Sequence, residues 1–164
     1  MLLIFNSFSV IFAAFQTVPE PKVTAKKLMT NFLHIHPKSS FADRVRRNSL
    51  IIEDIVIVMD GSFSIGSCEF NKGKKALQNM MELANNNPKS DAKYAGITFA
   101  SSVTVNFKFL PYSAAANKIS QISYPGGGTN TAAALAEAKK LFDDRSSGKS
   151  LNSRYGFDQL AKVS

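Results

Sequence analysis

The spacing of apolar positions changes several times along the chain, and each change marks an element. Ile55 to Met59 is an unbroken apolar run, rich in β-branched residues and too short for an ordinary helix. That pattern predicts a strand buried on both faces, as at the centre of a parallel sheet. It stops abruptly at Asp60. Phe70, Leu77, Met80, Met81 and Ala84 then recur at helical spacing, with Ser67 and Glu69 at the start and Asn85-Asn86-Asn87-Pro88 as the stop. Lys93 to Phe99 reads as a second strand. After a short Ala100-Ser101-Ser102 turn, Val103, Val105, Phe107 and Phe109 alternate with polar residues, so the two strands form a hairpin. Ala114 to Ile122 is a short helix. Thr131 to Phe142 is a longer, alanine-rich one, with Lys139 and Lys140 where a helix dipole favours cations.

The first fifty residues follow a different pattern. Residues 2–15, LLIFNSFSVIFAAF, are apolar apart from Asn6, Ser7 and Ser9. The stretch is too short to span a bilayer but has the length of a secretory leader's apolar core. Against the leader, no Lys or Arg precedes it and no small-x-small pair follows Ala14. The competing reading is an apolar segment that packs on the domain. Residues 17–49 carry Pro19, Pro21 and Pro37 among basic and polar residues; Ala25 to Leu33 suits a short amphipathic helix and the rest a linker. The layout is therefore a leader at 1–16, a basic, propeptide-like linker at 17–49 and a globular domain at 50–164.

Charge adds to this picture in one place. The net charge is +8, and between Glu20 and Leu50 seven Lys or Arg face only Glu20 and Asp43. Such a connector suits a polyanion, or simply a solvated segment; nothing in it reads a specific nucleic acid. Arg44-Val45-Arg46-Arg47 has the Arg-x-x-Arg spacing cut by furin-like convertases, which in a secreted chain would release a domain starting at Asn48. His34 and His36 lack neighbouring Cys, Asp or Glu and read as a solvated pair. One cysteine, Cys68, excludes an internal disulfide framework; it reads as a partly buried, inert thiol at a helix start, or else as a bridge to another chain. A mean hydropathy of -0.06 argues against a polytopic membrane protein, and no stretch is long enough for a transmembrane segment.

The chemistry gathers where the first buried strand stops. Asp60, Ser62 and Ser64 place a carboxylate and two hydroxyls at alternate positions just past the strand's carboxyl end, where open α/β sheets bind ligands. An all-oxygen set suits a hard divalent cation. Asp60-x-Ser62-x-Ser64 resembles the metal-ion-dependent adhesion site of von Willebrand factor type A domains. Two downstream blocks strengthen the resemblance: Ala95-Gly96-Ile97-Thr98-Phe99-Ala100-Ser101 is similar to the family's second strand, and Tyr124-Pro125-Gly126-Gly127-Gly128-Thr129-Asn130-Thr131 to its glycine loop.

The resemblance covers roughly residues 52–145. It implies a doubly wound, mostly parallel α/β sheet with one antiparallel edge strand. It also implies Mg²⁺ or Mn²⁺ held by Asp60, Ser62, Ser64 and Thr129, with an open position for a Glu or Asp of an extracellular or matrix protein. Gly61, Phe63, Gly128 and Asn130 lie in the same loops and are the further ligand-binding candidates. The family's fourth strand ends in Thr-Asp-Gly, whose Asp completes the metal shell; that tripeptide occurs nowhere in this sequence. The expectation is a domain incomplete at its C-terminus, a weaker or absent metal site, and an open edge along Ile55 to Met59.

No enzyme motif competes. There is no P-loop, GxSxG or HExxH, and Ser62 stands where a haloacid-dehalogenase-like phosphatase has its second Asp. The functional expectation is a secreted adhesion or matrix-binding module and not an enzyme. The alternatives are a cytoplasmic scaffold module of the same fold, or a fragment without binding of its own.

Overall fold

The computed structural model describes residues 2–6, 9–13, 20–32, 51–88 and 90–150. Its strands are β1 (Leu2–Asn6), β2 (Ser9–Ala13), β3 (Ile51–Asp60), β4 (Ser90–Phe99) and β5 (Val103–Pro111). Its helices are α1 (Pro21–Phe32), α2 (Gly66–Asn85), α3 (Tyr112–Gln121) and α4 (Thr131–Asp143), followed by a 3-10 turn at Arg145–Ser147. The strands form one sheet in the order β2-β1-β3-β4-β5.

The centre of the sheet is the expected one. β3 and β4 run parallel, in register from Ile51 opposite Ser90 to Asp60 opposite Phe99, and β5 folds back antiparallel as an edge strand. The apolar run of β3 is buried from end to end because each face has its own layer of helices. Ile55, Ile57 and Met59 point into a core with Leu77, Met80 and Met81 of α2, Ala25 and Leu28 of α1, and Ile119 of α3. Val56 and Val58 point the other way, towards Ala134, Ala138, Leu141 and Phe142 of α4. Period-2 alternation thus sends adjacent residues into separate cores, the pattern of a doubly wound α/β fold.

β5 departs from simple alternation. Phe107 joins the core under α2 whereas Phe109 joins the core under α4. The register between β4 and β5 shifts on both sides of Gly96, and the Phe107 ring fills the space a Gly96 side chain would need, 2.3 Å from an ideal Cβ. The glycine lets the ring cross beneath β4, and the local irregularity turns the next aromatic outward.

The free edge expected along β3 is paired. β1 runs antiparallel beside it, Leu2 opposite Met59 through Phe5 opposite Val56, and β2 pairs with β1 in a hairpin. β1 and β2 of the N-terminal apolar stretch therefore belong to the sheet, the backbone of β1 satisfying the edge of β3. α1 extends beyond the helix expected from the sequence and packs its Ala25 and Leu28 into the core.

A buried carboxylate fastens the opposite end of β3. Asp54, fully buried, accepts hydrogen bonds from the Ser150 amide at 2.9 and 3.1 Å and from the Ser150 hydroxyl at 3.0 Å. The Lys93 ammonium donates to the Gly148 carbonyl beside it at 2.9 Å. These bonds bring the segment after α4 back to the start of β3 and β4.

Candidate functional site

The site is built where β3 and β4 end together. Asp60, the last residue of β3, is buried to 6 % exposure. Its Oδ1 accepts the Ser62 amide at 2.9 Å, the short-range bond by which an Asp holds the turn that follows it. The turn continues with the Ile65 amide donating to the Ser62 carbonyl at 3.1 Å, and α2 starts at Gly66 with φ +74. Within this loop Ser62 is buried while Ser64 is exposed, and their hydroxyls lie 3.0 Å apart. Two of the four expected metal-directed oxygens, the hydroxyls, thus meet, and the Asp60 carboxylate is tied to the same five-residue turn by the Ser62 amide.

The second loop meets the first through named contacts. The Phe63 amide donates to the Gly127 carbonyl at 2.9 Å, and the Tyr124 hydroxyl donates to the Ser62 carbonyl at 2.9 Å. Gly61 packs so closely on Pro125 that a Cβ there would sit 2.5 Å from the ring. Gly126 and Gly127 have φ of +65 and +110, so the run of three glycines makes a turn other residues rarely adopt. Thr129, the fourth candidate, is exposed and sits two residues past Gly127 in the loop held against the first. Gly128 donates its amide to the Ser101 hydroxyl at 2.7 Å.

Asn130 does structural work here. Its amide bonds the Ala100 carbonyl at 2.8 Å, and its side chain caps α4 by accepting from the Ala133 amide at 3.2 Å. The cap takes up one of the helix's free N–H groups and seats the helix start beside Thr129, at the carboxyl end of β4. A ligand-binding role for Asn130 would have to share the side chain with this cap. Phe63 is the opposite case. It is 76 % exposed, with only one side of its ring resting on Gly126.

The donor set fits a hard cation in kind. It is oxygen only, with one carboxylate held in place by an amide and hydroxyls beside it. Among the described residues no three of His, Cys, Asp and Glu gather at one point. The roles of Tyr124 and Ser101 were not assigned from the sequence. Both lie at the carboxyl ends of the parallel strands or in the loop beside them, but side-chain bonds between loops distant in sequence leave no periodic signal. Cys68, expected to be partly buried, is exposed in the first turn of α2; Arg44, Arg46 and Arg47, and the histidine pair, lie outside the described residues.

The family model described as the von Willebrand factor type A domain matches residues 54–161, more than half of the chain. No curated protein matches it.

Proposed function

The chain belongs to the von Willebrand factor type A family, whose domains are protein-interaction modules, and from that premise we propose a divalent-cation-assisted binding module for an acidic residue of a partner protein. The observation that carries the reading is the oxygen cluster of Asp60, Ser62 and Ser64 at the end of β3, held against the glycine loop that bears Thr129. Asp60, Ser62, Ser64 and Thr129 would hold Mg²⁺ or Mn²⁺. The cation would supply a Lewis-acid contact for the partner's carboxylate. The chain's own part is orientation: the Ser62 amide fixes the Asp60 carboxylate, Tyr124 holds the Ser62 carbonyl, and the glycine turn keeps the surface open. A single carboxylate implies modest cation affinity and a site completed by the ligand's own charge. Binding, and not catalysis, is the activity proposed.

The test is thermal unfolding of the full chain titrated with Mg²⁺ and Mn²⁺. Binding to the folded state alone raises stability by about 2.7 kcal/mol at a hundred times the dissociation constant. The expected result is a midpoint that rises with metal, returns with EDTA, and does not rise in Asp60→Ala. A midpoint indifferent to both metals in the parent protein would overturn the reading.

Location follows as a second proposal. The apolar start and the Arg-x-x-Arg cluster support a secreted, matrix-facing module. The pairing of β1 with β3 supports the other reading, a cytoplasmic scaffold module that keeps its N-terminus. Expression in a eukaryotic cell, with N-terminal sequencing of the product, separates them. Medium-borne protein lacking residues 1–16 supports secretion, and cytosolic protein retaining them supports the scaffold.

A further inference from the structure

We infer that Phe63 forms a second contact point of the same surface, taking an apolar side chain that lies beside the partner's acidic residue. The inference rests on the reading of the two loops as an acid-binding site and names the kind of partner segment that fits it.

Phe63 stands between Ser62 and Ser64, the two residues whose hydroxyls meet at 3.0 Å. Its backbone is fixed independently of its ring by the bond from its amide to the Gly127 carbonyl. The ring leans on Gly126, where an added Cβ would lie 2.8 Å from it, so the absence of a side chain there keeps its place open. Yet this support covers only part of the ring, and 76 % of the residue remains in solvent. Among the described residues the other exposed large hydrophobics are Val23 on α1 and Val105 on the edge strand β5. Phe63 is the largest of the three and the one placed on the candidate site.

A phenyl ring held in this way is a low-entropy anchor, because only two side-chain torsions must be fixed when a partner covers it. Covering it removes apolar surface from water. The neighbouring oxygens, by contrast, favour charge. One surface therefore offers a charged point and an apolar point within one residue of each other along the chain. An extended partner segment advances ~3.4 Å per residue and turns alternate side chains to one face, so its matching apolar side chain belongs two positions from its Glu or Asp. A segment with Leu or Phe at that position fits; one with Ser or Lys there leaves the ring in water.

The experiment uses the full chain and a set of short Gly/Ser peptides with one central Glu, each of the two positions on either side of it carrying Leu, Phe, Ser or Lys in turn. Binding is read in Mg²⁺ and in EDTA for the parent protein, Phe63→Ser, Phe63→Leu and Asp60→Ala. The expected result is a roughly ten-fold preference for Leu or Phe two positions from the Glu, in the range of a single aromatic anchor. Phe63→Ser should lose the preference while keeping dependence on Glu and Mg²⁺, and Phe63→Leu should retain most of it. An equal preference in the parent and Phe63→Ser would overturn the inference. Peptide binding that follows Phe63 but ignores Mg²⁺ and Asp60 would instead overturn the cation reading and leave the apolar contact standing. No binding that depends on Glu or on Phe63 would overturn both.

Discussion

At the scale of single residues, the side chains that matter divide into those the sequence marks and those it hides. Asp60, Ser62 and Ser64 are legible because they break an apolar run at one point and with one element type. Glu53 is not. It sits one residue before Asp54 on the face of β3 that leads into Ile55, and burial pushes its carboxyl up from the usual 4.5 to about 7. Burial first, then the Glu53 charge, also raises the hydroxyl of Tyr94, which is buried without a hydrogen-bond partner among the described residues. The sign is fixed by linkage: between pH 4.5 and 7 the folded protein holds the Glu53 proton and the unfolded chain releases it. Stability due to this group is therefore intact below 4.5 and lost as pH rises through 7. The upper limit is about 3–4 kcal/mol at 1.36 kcal/mol per pH unit. Glu53→Gln should raise the unfolding midpoint at pH 8 and flatten its dependence between pH 5 and 7. Chemical denaturation across that range checks it, and an unchanged slope would refute the assignment.

At the scale of elements, β3, α2, the β4–β5 hairpin, α3 and α4 follow the sequence pattern to within a few residues, because each has a face that must be buried. The loops joining them follow glycine chemistry instead. Gly61 is the sharpest case: its missing Cβ is what lets Pro125 approach the end of β3. In the sequence it reads only as part of a family motif, since a contact with a residue more than sixty positions away has no local signature. Gly61→Ala would place a methyl group against the proline ring and force the two loops apart. The expected cost is about 1–3 kcal/mol of stability, the usual range for overpacking a close contact. Any cation response should weaken in parallel, because Thr129 rides on the displaced loop. Metal-titrated thermal unfolding of Gly61→Ala measures both effects. Loss of stability with an undiminished metal response would show that the second loop contributes no oxygen.

At the scale of the whole molecule, the N-terminal hairpin is the feature on which the two accounts of this chain part. An uncharged apolar stretch signals burial without naming what it is buried against, so residues 2–15 suit a leader as well as a sheet edge. The structure gives residues 2–6 and 9–13 of that stretch a specific place, with Leu2 to Phe5 paired along Val56 to Met59. Removing the hairpin would strip the backbone partners from one side of the strand that carries Asp60. With four residue pairs in that register and about 0.5–1.5 kcal/mol for each hydrogen bond, the loss should be roughly 2–6 kcal/mol. The exposed edge would also invite strand pairing between molecules. A chain beginning at residue 17 should therefore melt at lower temperature than the full chain and associate as its concentration rises. A leader predicts the reverse: its removal leaves the working protein, so the shortened chain would be at least as stable and no more associated. Paired melting curves and sedimentation of the two forms decide between these outcomes. If the hairpin is required, the site at the end of β3 depends on an N-terminal strand that the secretory route would remove.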